Sequence, residues 1–304
     1  MNLSVVIPVY NSGRHIEKCL LSLLSQSFLD FEIILIDDGS EDDSRQKAEA
    51  ILAGWHNHLI LSQKNRGAAA ARNAGILQAK GQWITFVDSD DYLAPEYFEN
   101  LLKSSENYDL LVSGIVFMEG EKETHRTIPP DDVCRITDLR QEKGFYLDYT
   151  ISPVGKLYRK RIIEKHLLRF NETLKTAEDR DFNIHYLFHT ESIRFLPYAG
   201  YYYRTDHEGS LSKGVTIDGL HTDILYWNDL SRLMNGTNDA YLAHRLFYFI
   251  VDNISDLWQK KEYWTALRAL RDNRPLFDRA FLRRNLKDLH APEWQKTLLR
   301  FYLG

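Results

Sequence analysis

Cysteine is scarce in this 304-residue chain: Cys19 and Cys134 are the only two, too few for a disulfide framework, and neither stands in a C-x-x-C or beside a histidine at zinc spacing. A reducing compartment fits that usage best. No run approaches the roughly 18 apolar residues of a membrane span. Met1-Asn2-Leu3-Ser4 passes straight into strand-like Val5-Val6-Ile7, so neither a signal peptide nor an anchor is expected there. An excess of positive charge is missing too: the formal charge is -5 and no basic stripe spans the chain, which argues against a general nucleic-acid binder. There is no G-x-G-x-x-G, which disfavours a dinucleotide oxidoreductase, and no G-x-x-x-x-G-K-[ST] for a P-loop. Internal repeats and low-complexity tracts are also absent.

What is present has the balance of an ordinary globular protein, 44% hydrophobic and 27% charged. The length exceeds that at which one core usually stops growing, so a main domain of roughly 200 residues with an appendage is expected. The first half alternates short apolar runs with helix-period segments, the pattern of a mainly parallel sheet covered on both faces. Strands are predicted at 3 to 9, 31 to 37, 58 to 62 and 83 to 87, with helices carrying Ile16, Leu20, Leu23 and Leu24, then near 41 to 53 and about 68 to 80. Pro95 and Glu96 open another helix, and a fifth strand is predicted from Leu110 to Met118. Beyond it the alternation ends: Pro129-Pro130 marks a loop and polar helices are expected.

From about Thr216 the sequence reads as helical. Between 268 and 300 nine Lys and Arg stand against four acids, interleaved with Leu276, Phe277, Phe281, Leu282, Leu286 and Leu289. A solvated or core-packing helix face and a helix lying on an anionic membrane surface both fit that pattern.

Polar residues gather where the strands end. Pro8-Val9-Tyr10-Asn11 ends the first, Asp37-Asp38-Gly39-Ser40 the second, Asn65-Arg66-Gly67 follows the third, and Asp88-Ser89-Asp90-Asp91 ends the fourth. In an open parallel sheet a ligand sits outside these carboxyl ends. Alternating carboxylates on a short turn can converge on magnesium or manganese and leave sites open for phosphate oxygens, though a polar turn capping the helix after Pro95 fits the same residues. Asp38 can accept the imide N–H of uracil or thymine, or cap the next helix. Arg72 can pair with an acid or a phosphate, or form a surface salt bridge.

The stretches VVIPVYNSGRHIEKCLLSLLSQSF, EIILIDDGSEDDS and NRGAAAARNAGILQAKGQWITFVDSDD together resemble the family 2 glycosyltransferases of GT-A fold. The resemblance continues more loosely in GKLYRKRIIEKHLLRFNE, TAEDRDF and YYYRTDHEGSLS, the pattern of bacterial enzymes that build lipopolysaccharide, capsule or related surface glycans, and reaches about residue 213. It implies a Rossmann-like GT-A domain over 1–215, nucleotide-binding to about 118 and acceptor-binding from 119, followed by a helical region over 216–304. Pro8 and Asp38 would then line the base, Asp88 would lie near ribose and metal, and Asp90 would bind the divalent ion. Tyr10, Asn11, Gly67, Arg72 and Ser89 complete the expected nucleotide-sugar site. Asp179 would be the general base, chosen by family position over Glu178 and Asp181, which a helix N-terminal dipole also favours. His207 would be a further metal ligand or merely an exposed loop histidine. Tyr201 to Tyr203 would stack on an acceptor sugar or be partly buried by strand alternation. Ser152-Pro153-Val154-Gly155-Lys156 departs from many relatives, which carry tryptophan where Val154 stands, so the acceptor side is open.

These residues lead to an inverting, metal-dependent glycosyltransferase. Displacing a nucleoside diphosphate from an anomeric carbon needs a neutralised leaving group and a base for the attacking hydroxyl; one in-line displacement turns an alpha-linked donor into a beta-linked product. The expected donor is a UDP-sugar, with manganese or magnesium as cofactor and a glycan or lipid-linked acceptor. The expected place is the cytoplasm, with peripheral contact to the inner membrane surface and oligomerisation left open. A nucleotidyltransferase would want a glycine-rich basic loop near the first strand, where Tyr10-Asn11-Ser12-Gly13-Arg14 is a poor one. A silent sugar-binding or scaffold module would not need Asp38, Asp88, Asp90 and Asp179 together.

Overall fold

In the computed structural model residues 1–141, 149–174 and 177–205 are described. By contact the chain divides into two units, one of 1–136, 146–173 and 178–210, the other of 137–145, 174–177 and 211–304. Every described element belongs to the first except the helix Ile136–Gln141, which falls in the second apart from its first residue. His207 and the helical region expected over 216–304 lie outside the described residues.

The continuous apolar runs form β1 (Leu3–Val9) and β2 (Phe31–Asp37), every residue of which is buried. A strand apolar on both sides must be covered on both, and the two faces are covered by different helices. Leu3, Val5, Ile7 and Val9 share a core with Ile16, Cys19, Leu20 and Leu23 of α1 (Ile16–Leu24) and with Ala48 and Leu52 of α2 (Ser44–Leu52). Val6, on the opposite face, meets α3 (Ala68–Gln78), where a side-chain carbon on Gly75 would come within 2.3 Å of Val6 Cγ1. The alanine-rich sequence of α3 is what permits that approach.

The parallel part of the sheet runs in the order β3 (His58–Ser62), β2, β1, β4 (Trp83–Phe86), with Val9 opposite Asp37 and Val6 opposite Phe86. Next come the two-residue β5 (Tyr92–Leu93), α4 (Tyr97–Leu102), β6 (Leu110–Glu119), β7 (Lys122–Thr127), β8 (Asp132–Arg135), α5 (Ile136–Gln141), β9 (Lys156–Arg159), α6 (Lys160–Lys165), α7 (Glu178–Phe188) and β10 (Ser192–Arg204). Beyond β4 the sheet is mixed: β9 pairs antiparallel with β4 and β6, and β10 pairs parallel with β6 and antiparallel with β5 and β8.

Two expectations change here. The strand expected from Leu110 to Met118 is the sixth, because β5 intervenes, and runs to Glu119; the segment expected to be loop and polar helices contributes β7, β8 and β9. The reason is visible in β7: Lys-Glu-Thr-His-Arg-Thr is exposed except at its last residue, which is half-buried, so no apolar period betrays it. β9 has only four residues. In β10 the pairing with β6 is irregular between Phe195 and Ala199, around Pro197, as expected where a proline cannot donate to the ladder.

Candidate active site

Pro8 shows how the rim begins. Val9 O accepts from Asp38 N on the β2 side (2.8 Å) and Val6 O from Val87 N on the β4 side (3.1 Å). Strand alternation therefore turns Pro8 towards β4, two residues past the last paired residue, where its missing N–H costs no ladder bond. Immediately beyond, Tyr10 is 48% exposed and Asn11 takes a left-handed φ of 49°. Asn11 Oδ1 accepts from Glu41 N (2.8 Å) and its own N–H donates to Ser40 Oγ (3.1 Å), which lashes the β1 and β2 loops together.

Asp38 is buried, and it does not cap α2, whose N-cap is Asp43 with no side-chain bond. Its Oδ1 accepts from Gln63 Nε2 (2.8 Å) and Arg66 N (2.9 Å), and its Oδ2 from Gly67 N (2.7 Å). One carboxylate thus shapes the loop leading into α3, where Gly67 adopts φ 91°. A carboxylate has about four lone-pair sites, so three hydrogen bonds leave capacity for one more donor.

The turn after β4 closes by Asp91 N donating to Asp88 O at 3.0 Å. Its four polar residues point to different places. Ser89 is buried, its hydroxyl 2.6 Å from Ser12 Oγ. Asp91 is buried as well: Oδ2 accepts from Tyr201 OH (2.7 Å) and Oδ1 from Arg204 N (2.9 Å). Burial, then the charges of Asp90 and Asp88, push its carboxyl well above the usual range. Asp91 therefore braces β10 against the turn, while Asp88 and Asp90 remain partly exposed on the rim. None of these acids caps α4, whose N-cap is Glu96 with no side-chain bond.

Arg72 lies on the α3 face of the sheet and is 6% exposed, so the surface salt bridge is not what forms. Its Nη2 donates to Asp88 Oδ1 (2.9 Å) and its Nη1 to Glu178 Oε1 (3.2 Å). Burial alone would lower the guanidinium, but Asp88 and Glu178 outweigh it and hold it above its ordinary value. Glu178 is raised, by burial first and then by Asp179; Arg72 offsets only part of this.

α7 reaches this place through aromatic packing. Phe182 stacks on Phe170 (centroids 4.1 Å) and meets Phe86 and Tyr158 edge-on, while Tyr186 meets Tyr158 at 5.0 Å. One turn after Asp179, the buried Asn183 accepts from Tyr158 OH (2.6 Å) and donates to Ile151 O (2.7 Å). Two carbonyls of the 151–155 loop are likewise met from within: Val154 O by Lys156 Nζ (3.2 Å) and Gly155 O by Ser113 N (2.9 Å). Lys156 is 1% exposed, and burial lowers its amine to about 7, with Asp179 pulling the other way.

The rim thus joins Asp38 with Gly67, and Asp88 with Arg72 and, through Glu178, the start of α7. Asp179 is half-buried and accepts from Arg180 N at 2.8 Å. Tyr201 is buried, Tyr202 stacks on Tyr92 (4.7 Å) and Tyr203 meets Phe117 edge-on. Sequence reasoning passed over Glu178, Asp91, Lys156, Asn183 and Tyr158. Only Glu178 and Asp91 carried a signal, as acids adjoining chosen acids.

The family model described as Glycosyl transferase family 2 matches residues 4–167. An uncharacterized glycosyltransferase, EpsJ, of Bacillus subtilis is 33% identical over 207 residues, 66% of this chain and 60% of the relative. The poly(ribitol-phosphate) beta-N-acetylglucosaminyltransferase TarS of Staphylococcus aureus is 30% identical over 220 residues, 69% of this chain and 36% of the relative. The chain therefore spans only part of the length of these curated relatives. Among solved structures, S. aureus TarS 1-349 in complex with UDP-GlcNAc aligns with a TM-score of 0.74 at 24% identity, over 92% of this chain and 83% of that one. The Pyrobaculum calidifontis mannosyltransferase PcManGT in complex with GDP-Man and Mn2+ aligns at 0.57 and 15%, over 99% and 84%. These structural likenesses show the fold, mixed α/β of the GT-A kind.

Proposed function

The chain belongs to glycosyl transferase family 2, and from this premise we propose that it is an inverting glycosyltransferase that moves a sugar from a UDP-sugar to a surface-glycan or lipid-linked acceptor. The observation that carries the reading is the Asp88–Arg72–Glu178 bridge, which gathers strand-end acids and the start of α7 at one rim. The Asp38 carboxylate, with a lone pair to spare, recognises the imide N–H of the base. Asp179 takes the proton of the attacking hydroxyl.

A divalent cation fits the residues present. Among the described residues no three His, Cys, Asp or Glu side chains form a ready cage. Magnesium and manganese sites at diphosphates need only one or two carboxylates, the rest of the shell being water and phosphate. Asp90, aided by Asp88, would hold it; when bound it supplies charge neutralisation of the departing diphosphate. Support for the donor class comes from TarS, seen with UDP-GlcNAc, and for the metal from PcManGT, seen with Mn2+. Among the described residues no helix is long and apolar enough to cross a membrane, and contact with a membrane surface is left to the basic stretch at 268–300.

The test is a panel of UDP-, GDP- and dTDP-sugars, UDP-GlcNAc among them, each with manganese or EDTA, scored by thermal stabilisation and slow donor hydrolysis. Stabilisation by UDP-sugars alone, abolished by EDTA, is expected. Equal stabilisation by all three nucleotides, or none by any, would overturn the donor assignment.

A further inference from the structure

The Asp179 carboxylate makes, among the described residues, a single hydrogen bond, accepting from the N–H of its own neighbour Arg180. Its place is therefore inherited from the helix it rides on. α7 is entered through Ala177, whose φ of 61° is costly for a residue with a side chain. One turn into the helix, Asn183 and Phe182 fix it to β9 and to the aromatic cluster. Upstream of Asp179, the attachment is Glu178 on Arg72, whose other arm holds Asp88. The guanidinium is a rigid planar fork, so the two carboxylates are set relative to each other by one group that cannot flex between them. Among the described residues its Nε is buried without a hydrogen-bond partner and the ring of Phe170 lies 5.4 Å from its carbon, so those two acids are its hydrogen-bonding anchors there.

Resting on the reading above, we propose that Glu178 is a positioning residue for transfer: by holding the second arm of Arg72 it keeps the first turn of α7, and hence the Asp179 carboxylate, in register with the strand end that bears Asp88. The donor side and the acceptor side of the reaction are thereby linked through a buried cation. Misplacing a reacting group by about 1 Å can cost roughly 100-fold in rate, so the link acts on turnover rather than on nucleotide affinity.

The test uses the full chain with UDP and manganese for binding, and the UDP-sugar retained by the nucleotide panel with an octyl glycoside acceptor for turnover. Glu178→Ala is expected to lower acceptor-dependent kcat about 100-fold and leave the Kd for UDP within about twofold. Glu178→Gln, which keeps an oxygen for Arg72 Nη1, is expected to recover much of the loss. In an Asp179→Asn background Glu178→Ala should have no further effect on residual turnover, because both act through one carboxylate. Amide hydrogen exchange across 178–182 should quicken in Glu178→Ala and not in Glu178→Gln. Unchanged kcat, a matching loss of UDP affinity, or unchanged exchange would each overturn the proposal. Exchange is read without any nucleotide, so a wild-type protein that takes up no UDP would count against the donor reading alone.

Discussion

Asp179 and Asp90 are carboxylates in different surroundings, and the difference sets what their removal does. Asp179 lies in the first turn of a helix packed by Phe182 and Tyr186, whereas Asp90 lies on the turn after β4. Asp179→Asn is isosteric and should leave UDP binding with manganese unchanged while transfer falls by about 100- to 10,000-fold, the range for losing a general base. Asp90→Ala should do the opposite in binding, removing the manganese-dependent part of UDP affinity measured by calorimetry. A variant Asp179→Asn that transfers at the wild-type rate would mean another group takes the proton.

At the scale of elements, α3 is placed by the absence of side chains at its contact with β1. Gly75→Ala would put a methyl carbon 2.3 Å from Val6 Cγ1 and 3.1 Å from Val6 Cγ2, inside a strand that cannot retreat because α1 fills its other face. Overpacking of this kind costs about 1–3 kcal/mol. Because Arg72 rides on the same helix, loss of UDP affinity should accompany the lower urea midpoint. A midpoint within error of wild type would show that α3 has room to move. β1, β2 and the helices of this half were legible beforehand because their apolar faces are continuous, and the short β3 and β4 because polar turns with Gly or Asp follow them within the alternation. β7 and β9 were not: one is polar and at least partly exposed throughout, the other too short for any period.

Over the whole molecule, the buried amine of Lys156 makes stability depend on pH. Its value falls from 10.5 to about 7 on folding, mainly through burial. Below about pH 7 the amine is charged in both states and the cost of burying that charge is fully present. Between 7 and 10.5 the unfolded chain keeps a proton that the folded chain has released, so stability rises with pH across that window. Lys156→Met removes this contribution. The variant's stability relative to wild type, from urea unfolding at pH 6, 7.5 and 9, should decline steadily as pH increases. A gap that stays constant would mean the folded chain keeps its proton.

The sequence by itself determined the α/β class, the parallel strands β1 to β4 and the acids waiting at their ends, because these follow from local periodicity and turn chemistry that each segment carries alone. What only the tertiary structure decided is which way those acids face. Asp91 turns inward to Tyr201, Asp38 spends three bonds on the α3 loop, and Arg72 joins Asp88 to Glu178, which lies 106 residues beyond Arg72 in the chain. The physical reason is that a buried charge is settled by whatever partner the packed fold brings to it, and no local pattern in the chain records a partner so far away.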